Sequence, residues 1–251
     1  MVRTLWLPPE ARSGQRIRFP KEESHHLRHV LRIAPGSRIA ILCAGHRLEV
    51  ELRNEGPELW GDIQDEQPIS VPSFRLDLAQ SLPKGKKMDT VITMAAQVGI
   101  DRLIPFCSSR SEVHLAPADA IRRRSHWQKK AEEEAKLTGA WPLGVAPLVS
   151  WTEILALGKD YSLPFFFWEN AEQSLDLVIQ QRLSPTNALV VIGPEGGFAP
   201  EEALYAQKQG FTVVSLGSRI YRSEIAGFVA AVLLLSRFGS LGKSSAQDEG
   251  R

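Results

Sequence analysis

Ala188-Leu189-Val190-Val191-Ile192-Gly193-Pro194-Glu195-Gly196-Gly197-Phe198 decides the fold class of this chain. Five consecutive apolar residues read as a strand buried on both faces. The run ends in three glycines within five residues, and Pro200-Glu201-Glu202 then opens a helix. In open α/β sheets, ligands bind beyond the carboxyl ends of the strands. Glycines there let the backbone approach a ligand and expose its N–H groups. Taken alone, the same residues also fit a plain strand-to-helix turn with proline at the first helical position. The segment is not a phosphate-binding P-loop, because no Gly-Lys-Ser/Thr follows, and it is not Gly-x-Gly-x-x-Gly.

The same rhythm extends on both sides. Apolar strand candidates at Phe74–Ala79, Arg102–Phe106, Phe165–Trp168 and Val213–Leu216 alternate with helical stretches at Lys87–Val98, Trp127–Leu137, from Pro200 and Glu224–Phe238. Such alternation predicts an α/β fold with a parallel sheet covered on both faces. Leu216-Gly217-Ser218-Arg219-Ile220-Tyr221-Arg222-Ser223-Glu224 repeats the strand–glycine–helix context of the first turn, now with Arg219, Arg222 and Glu224 clustered before the last helix. Those charges fit helix capping or mutual pairing, but two such turns in one sheet point to a ligand site.

Upstream the pattern differs. Short alternating stretches at Arg3–Leu7, Arg38–Leu42, Arg47–Leu52 and Leu59–Ile63, separated by glycine and proline turns, predict a small β-barrel. One helix interrupts them, Lys21–Ile33, with Leu27, Val30 and Leu31 as its apolar stripe. The two prolines of Gln67-Pro68-Ile69-Ser70-Val71-Pro72-Ser73 mark a boundary. The expected organisation is a first domain over 1–72, a second over 73–240 and a disordered polar tail over 241–251.

The chain has 251 residues, 43% hydrophobic and 24% charged, the content of an ordinary globular protein. Its two cysteines, Cys43 and Cys107, lie far apart without partners at ligand spacing, which argues against a disulfide framework and a zinc site. No stretch approaches the ~20 apolar residues of a membrane helix, and no signal peptide is evident, so a cytoplasmic protein without membrane contact is expected. His25 and His29 share a helix face with His26 nearby, but no third ligand accompanies them, and no metal is expected.

The net charge of +1 hides a segregated distribution. Residues 1–40 and 84–130 are basic, whereas 41–73 are acidic, which suits either solvated helix faces or a phosphate-rich partner. Lys84-Gly85-Lys86-Lys87 puts cations at a helix N-terminus, against the macrodipole, a placement that suits phosphate contact. Arg122-Arg123-Arg124 precedes a helix and reads as a solvated run.

These residues together resemble the 16S ribosomal RNA uridine-N3 methyltransferases, of the SPOUT (α/β-knot) superfamily. His25-His26-Leu27-Arg28-His29-Val30-Leu31-Arg32 with Pro35-Gly36 is similar to that family's PUA-like RNA-binding region. Lys84–Asp89, Gln97-Val98-Gly99-Ile100, Pro105 and Ser109-Arg110-Ser111 match the first part of its catalytic domain, and Ile192–Gly197 and Leu216–Ala226 match its two cofactor loops. The resemblance implies S-adenosylmethionine bound in a C-terminal trefoil knot and completed at a homodimer interface. Its cofactor residues would be Ile192, Gly193, Pro194, Glu195, Gly196, Gly197, Leu216, Gly217, Ile220, Tyr221, Arg222, Ser223 and Ala226. Arg222 would stabilise the uridine anion, and Glu224 would either take the proton or orient Arg222. Arg28, Arg32, Lys84 and Arg110 would contact small-subunit ribosomal RNA. Departures from the family pattern at Leu137, Ala140 and Ile225, and Gln97 in place of the usual Glu, fall on the substrate side. They leave three alternatives open: a superfamily enzyme acting on another RNA such as transfer RNA, an RNA-binding protein without catalysis, and a phosphate- or nucleotide-binding enzyme.

Overall fold

A computed structural model describes residues 4–55, 58–69, 72–182, 184–239 and 241. They form two compact units. One holds the described residues through Ile69 together with Ala135–Pro142; the other holds Pro72–Glu134 and the described residues from Leu143 onward. Arg3 and, apart from Leu241, the expected tail lie outside the described residues.

The first unit is a six-stranded sheet made of β1 (Leu5–Trp6), β2 (Arg12–Ser13), β3 (Arg16–Arg18), β4 (Arg38–Cys43), β5 (His46–Glu55) and β6 (Glu58–Pro68). The spatial order is β1-β4-β5-β6-β3-β2, antiparallel except where β1 runs beside β4. Ile17, Ile39, Ile41, Leu48, Val50 and Leu52 alternate inward to form its core. The expected helix differs in form. Helix α1 (Lys21–His25) passes into a π-helical turn over His26–Val30, with Leu31 N–H donating to the His26 carbonyl. The wider turn rotates the residues that follow it. Leu27 is therefore buried, whereas Val30 is 60% and Leu31 37% exposed, so the predicted three-residue stripe does not form.

The second unit is a wholly parallel sheet of β7 (Arg75–Ser81), β8 (Arg102–Cys107), β9 (Gly144–Val145), β10 (Val149–Ser150), β11 (Leu163–Phe167), β12 (Asn187–Ile192) and β13 (Thr212–Val214), with β10-β8-β7-β12-β11-β13 as its order and β9 beside β8. Its helices are α2 (Lys87–Val98), α3 (Pro117–Thr138, of which Ala135–Thr138 is grouped with the first unit), α4 (Trp151–Leu157), α5 (Leu175–Gln180), α6 (Pro200–Lys208) and α7 (Ser223–Arg237). Strand β12 shows why its sequence is continuously apolar. Ala188, Val190 and Ile192 enter one core layer, while Leu189 and Val191 enter the other. Phe165 and Phe166 split between the layers in the same way. Each such side chain contributes about 1.5–3 kcal/mol on burial. Helix α3 begins ten residues before the predicted Trp127, so Arg122, Arg123 and Arg124 lie inside it rather than ahead of it. The added turns bury almost nothing and so carry no apolar periodicity to read.

Helix α7 lies on the sheet through a stripe of small residues. Ser223, Gly227, Ala230 and Ala231 are buried, and a Cβ at Gly227 would stand 2.9 Å from Leu78 and 3.6 Å from Ile192. Close approach there fixes where the helix starts relative to the ends of β7 and β12. Gly227→Val is expected to destabilise the protein by roughly 1–3 kcal/mol through overpacking. A urea unfolding midpoint equal to that of the wild type would contradict this packing.

Candidate functional site

Three chain segments leave the carboxyl ends of β11, β12 and β13 and enclose a cleft of about 720 Å³. Trp168-Glu169 follows β11, Gly193–Phe198 follows β12 and Ser215–Arg222 follows β13. All thirteen residues predicted to hold a cofactor line this one cleft, as does Glu224. Phe167, Trp168, Glu169, Phe198 and Ser215 also line it and were not named as cofactor or catalytic residues from the sequence, and Lys87 lines it from the cationic turn that the sequence assigned to phosphate contact.

The two glycine loops are tied together by one hydroxyl. Ser223 Oγ donates to the Gly193 carbonyl at 2.5 Å and accepts from Gln80 Nε2 at 2.9 Å, all within buried surroundings. Gln80 pairs with Ile192 in the sheet register, so the end of β7 stands beside the start of the first loop. The glycines also serve the loop's own packing. A Cβ at Gly193 would meet the Phe198 ring at 3.0 Å, and Gly197 combines φ 64° with only 2.7 Å to Glu169 Oε1. Gly217, at φ 90°, turns the second loop.

Charge at the cleft is organised around Lys87. Its ammonium donates to Glu195 Oε1 at 2.8 Å and lies 3.8 Å from Glu224 Oε2, while the Lys84 backbone N–H donates to the same Glu195 oxygen at 3.1 Å. The hydrogen bond to Glu195 raises the lysine above its ordinary pKa. Partial burial pushes the Glu195 carboxyl up, but hydrogen bonds from Lys87 and the backbone outweigh that effect and leave it below the usual carboxylate range. Glu224 therefore faces Lys87, and no ion pair joins it to Arg222 among the described residues. Arg222 is exposed at the cleft and supplies the backbone N-cap of α7 without a side-chain cap. Two buried polar atoms of lining residues, Glu224 Oε2 and Trp168 Nε1, have no hydrogen-bond partner among the described residues.

The residues expected to touch RNA fall two in each unit, Lys84 and Arg110 in the second and Arg28 and Arg32 in the first. Lys84 Nζ is paired with Glu112 at 2.7 Å. Arg110 donates to the carbonyls of Gly196 at 3.3 Å and Phe198 at 3.4 Å, so its guanidinium braces the first glycine loop. That bracing is shared by Glu202, which accepts from the backbone N–H groups of Ser109 and Ala199. In the first unit, Arg28 donates to Asn54 and to the Glu58 carbonyl, bridging β5 and β6, while Arg32 is exposed at φ 51°. The departures Leu137, Ala140 and Ile225 do not line the cleft, and Gln97 donates to Glu134.

Ser223→Ala is expected to cost about 1–3 kcal/mol, because it removes the hydroxyl donor to the buried Gly193 carbonyl and leaves the Gln80 amide with the Ser81 carbonyl alone. An unaltered unfolding midpoint would contradict the tie. The Lys87–Glu195 pair adds a pH signature. A carboxyl held below its ordinary value stabilises the fold above the unfolded carboxylate range, and that stabilisation is lost as pH falls through the lowered value. The difference in thermal midpoint between wild type and Lys87→Met should therefore hold steady at neutral pH and close under acid. A difference that persists in strong acid would point to a packing defect instead.

Residues 70–235 match the family model described as an RNA methyltransferase domain. The chain is 28% identical over 224 residues to ribosomal RNA small subunit methyltransferase E of Bacillus subtilis, covering 83% of this chain and 85% of that protein. It is 25% identical to the protein of the same name from Aquifex aeolicus, over 91% and 97% of the two chains. The crystal structure of ribosomal RNA small subunit methyltransferase E from Neisseria gonorrhoeae bound to S-adenosyl methionine superposes with a TM-score of 0.79 at 26% identity, covering 96% of this chain and 99% of that one. With two thirds of its length under that family model, the chain belongs to the RNA methyltransferase family.

Proposed function

We propose that this protein transfers a methyl group from S-adenosylmethionine to N3 of a uridine in 16S ribosomal RNA of the small subunit. The carrying observation is the convergence of both glycine loops on one cleft. Its volume of about 720 Å³ suits a nucleoside-sized ligand. The residues fit the cofactor. Gly193–Gly197 and Leu216–Tyr221 line the walls, and Trp168 Nε1 and Glu224 Oε2 offer a donor and an acceptor without a hydrogen bond among the described residues. The names of the Bacillus, Aquifex and Neisseria relatives support the ribosomal target. The same reading carries a PUA-like barrel in the first unit, a trefoil knot around the two loops, a homodimer and a cytoplasmic setting. The knot draws support from Ser223 lying against the Gly193 carbonyl, with Gly227 pressed onto Leu78 and Ile192.

When bound, the cofactor supplies an electrophilic methyl group: the S–CH₃ bond breaks, its electron pair returns to sulfur, and an N3–CH₃ bond forms. The protein must remove the N3 proton and hold the ring in line. Arg222, exposed at the cleft, stabilises the negative charge that develops on the uridine. Glu224 accepts the proton, and Lys87 keeps the carboxylate oriented. The glycine loops, fixed by Ser223 and Arg110, provide the positioning that makes up much of the acceleration.

The cleft lining balances three carboxylates, Glu169, Glu195 and Glu224, against three cations, Lys87, Arg219 and Arg222, with Lys87 already paired to Glu195, so a phosphate-binding role is left to a direct test. Calorimetric titration is expected to show binding of S-adenosylhomocysteine and none of ATP; the reverse would overturn the reading. Single-turnover methylation of 16S ribosomal RNA, mapped to the nucleotide, should place the methyl on a uridine N3 and should slow by roughly 10²–10³-fold in Arg222→Ala at saturating cofactor. An unchanged rate would remove Arg222 from the chemistry, and methylation of transfer RNA instead would redirect the substrate.

A further inference from the structure

Helix α3 carries more exposed charge than its packing explains. Trp127 and Ala131 are buried in the core, but every residue of Ile121–His126 is exposed, with Ile121 70% accessible. The helix is held to the sheet at the base of this segment. Arg124 donates to the Val145 carbonyl at 2.9 Å, and the Val145 N–H donates to Gln128 at 2.8 Å. Beyond that anchor, Arg122, Arg123, His126 and Lys129 fall at helical spacing on one face. Like charges so close together disfavour the helix. The acidic groups near that face are Asp119, 2.8 Å from Arg122 in an exposed pair that contributes little, and Glu133, exposed and four residues after Lys129. Arg123 and Lys129 have no ion pair among the described residues. A helix whose outer face carries more cations than acids is the form expected where an anionic partner lies against it.

The position of this face identifies the partner. His126 Nε2 lies 3.4 Å from Asp89 Oδ1, in the first turn of α2. Two residues before Asp89 is Lys87, which lines the cleft, preceded by Lys86 and Lys84. The basic face of α3 therefore touches the first turn of α2, the helix that Lys86 and Lys87 open at the cleft, within one unit of the protein. We propose that Arg122, Arg123 and Lys129 form a rail for the phosphate backbone of the RNA whose base enters the cleft. The inference rests on the RNA-methylating role proposed above and adds an RNA-binding surface to it. Arg124 is excluded from the rail, because its guanidinium serves the Val145 carbonyl.

The test is the salt dependence of binding of the full-length protein to in vitro transcribed 16S ribosomal RNA. Neutralising one phosphate-binding cation should lower the slope of log affinity against log salt by about 0.7. The triple variant Arg122→Gln/Arg123→Gln/Lys129→Gln should lower it by about 2 and weaken binding roughly tenfold or more at low salt. Its affinity for S-adenosylhomocysteine should match the wild type and its thermal midpoint should be equal or higher, showing that cleft and fold are intact. Neutralising two exposed lysines elsewhere in the unit, Lys159→Gln/Lys208→Gln, should change the slope less than the triple variant does. A triple variant with the slope and affinity of the wild type would overturn the rail while leaving the methyltransferase reading in place. A wild-type protein that binds S-adenosylhomocysteine but not the RNA would overturn the rail together with the ribosomal target.

Discussion

The Ser223 hydroxyl, placed between the Gly193 carbonyl and the Gln80 amide, is the constraint on which the cleft depends. Strands β12 and β13 are separated in the sheet by β11, and among the described residues no backbone hydrogen bond joins their glycine loops. The first residue of α7 performs that task. It satisfies a carbonyl that leaves the end of β12 and an amide that ends β7, while Gly227, one helical turn later, brings the helix close enough for the hydroxyl to reach. A buried hydrogen bond of this kind contributes modestly when formed and costs considerably more when one partner is removed. The geometry of both loops is thereby locked to the rigid centre of the parallel sheet rather than left to loop conformation.

Around this tie, polar groups brace the first loop from outside. Lys87 and the Lys84 backbone hold Glu195, Arg110 holds the carbonyls of Gly196 and Phe198, and Glu202 joins Ser109 to Ala199. The glycines are needed as much for these close approaches as for a ligand. Gly193 makes room for the Phe198 ring, and Gly197 for the Glu169 carboxylate. What remains without a partner at the cleft is correspondingly informative. Arg222 is exposed, and Glu224 Oε2 and Trp168 Nε1 have no hydrogen bond. A preorganised wall with a few unsatisfied polar atoms is the arrangement that a ligand completes.

The parallel sheet and both glycine loops are legible in the sequence because their signals are local. A doubly buried strand such as β12 must be continuously apolar, and a strand-to-helix turn beside packed rings must use glycine. Gln80, Trp168 and Glu169 are not legible as site residues, and Lys87 is legible only as a cation of the helix-opening turn, because their roles depend on which elements become neighbours. Gln80 matters only once β7 lies beside β12, and Lys87 only once the start of α2 meets Glu195 and Glu224. The opening turns of α3 escape a sequence reading because they bury no stripe, and the π-helical turn after His25 because a one-residue change of winding leaves no mark in composition. Arg28 and Arg110 stand out as cations in the sequence, but the structure gives them carbonyl and amide partners. The charge of a residue can be read from sequence, whereas its partner is set by tertiary register.

The central claim is that one ligand, S-adenosylmethionine, occupies the space between two loops held by Ser223. Amide hydrogen exchange with and without saturating S-adenosylhomocysteine tests it most directly. The account predicts protection concentrated in 193–198 and 215–223, with little change in the six-stranded sheet of the first unit. Exchange unaffected by the compound, or protection confined to residues outside those two loops, would contradict it.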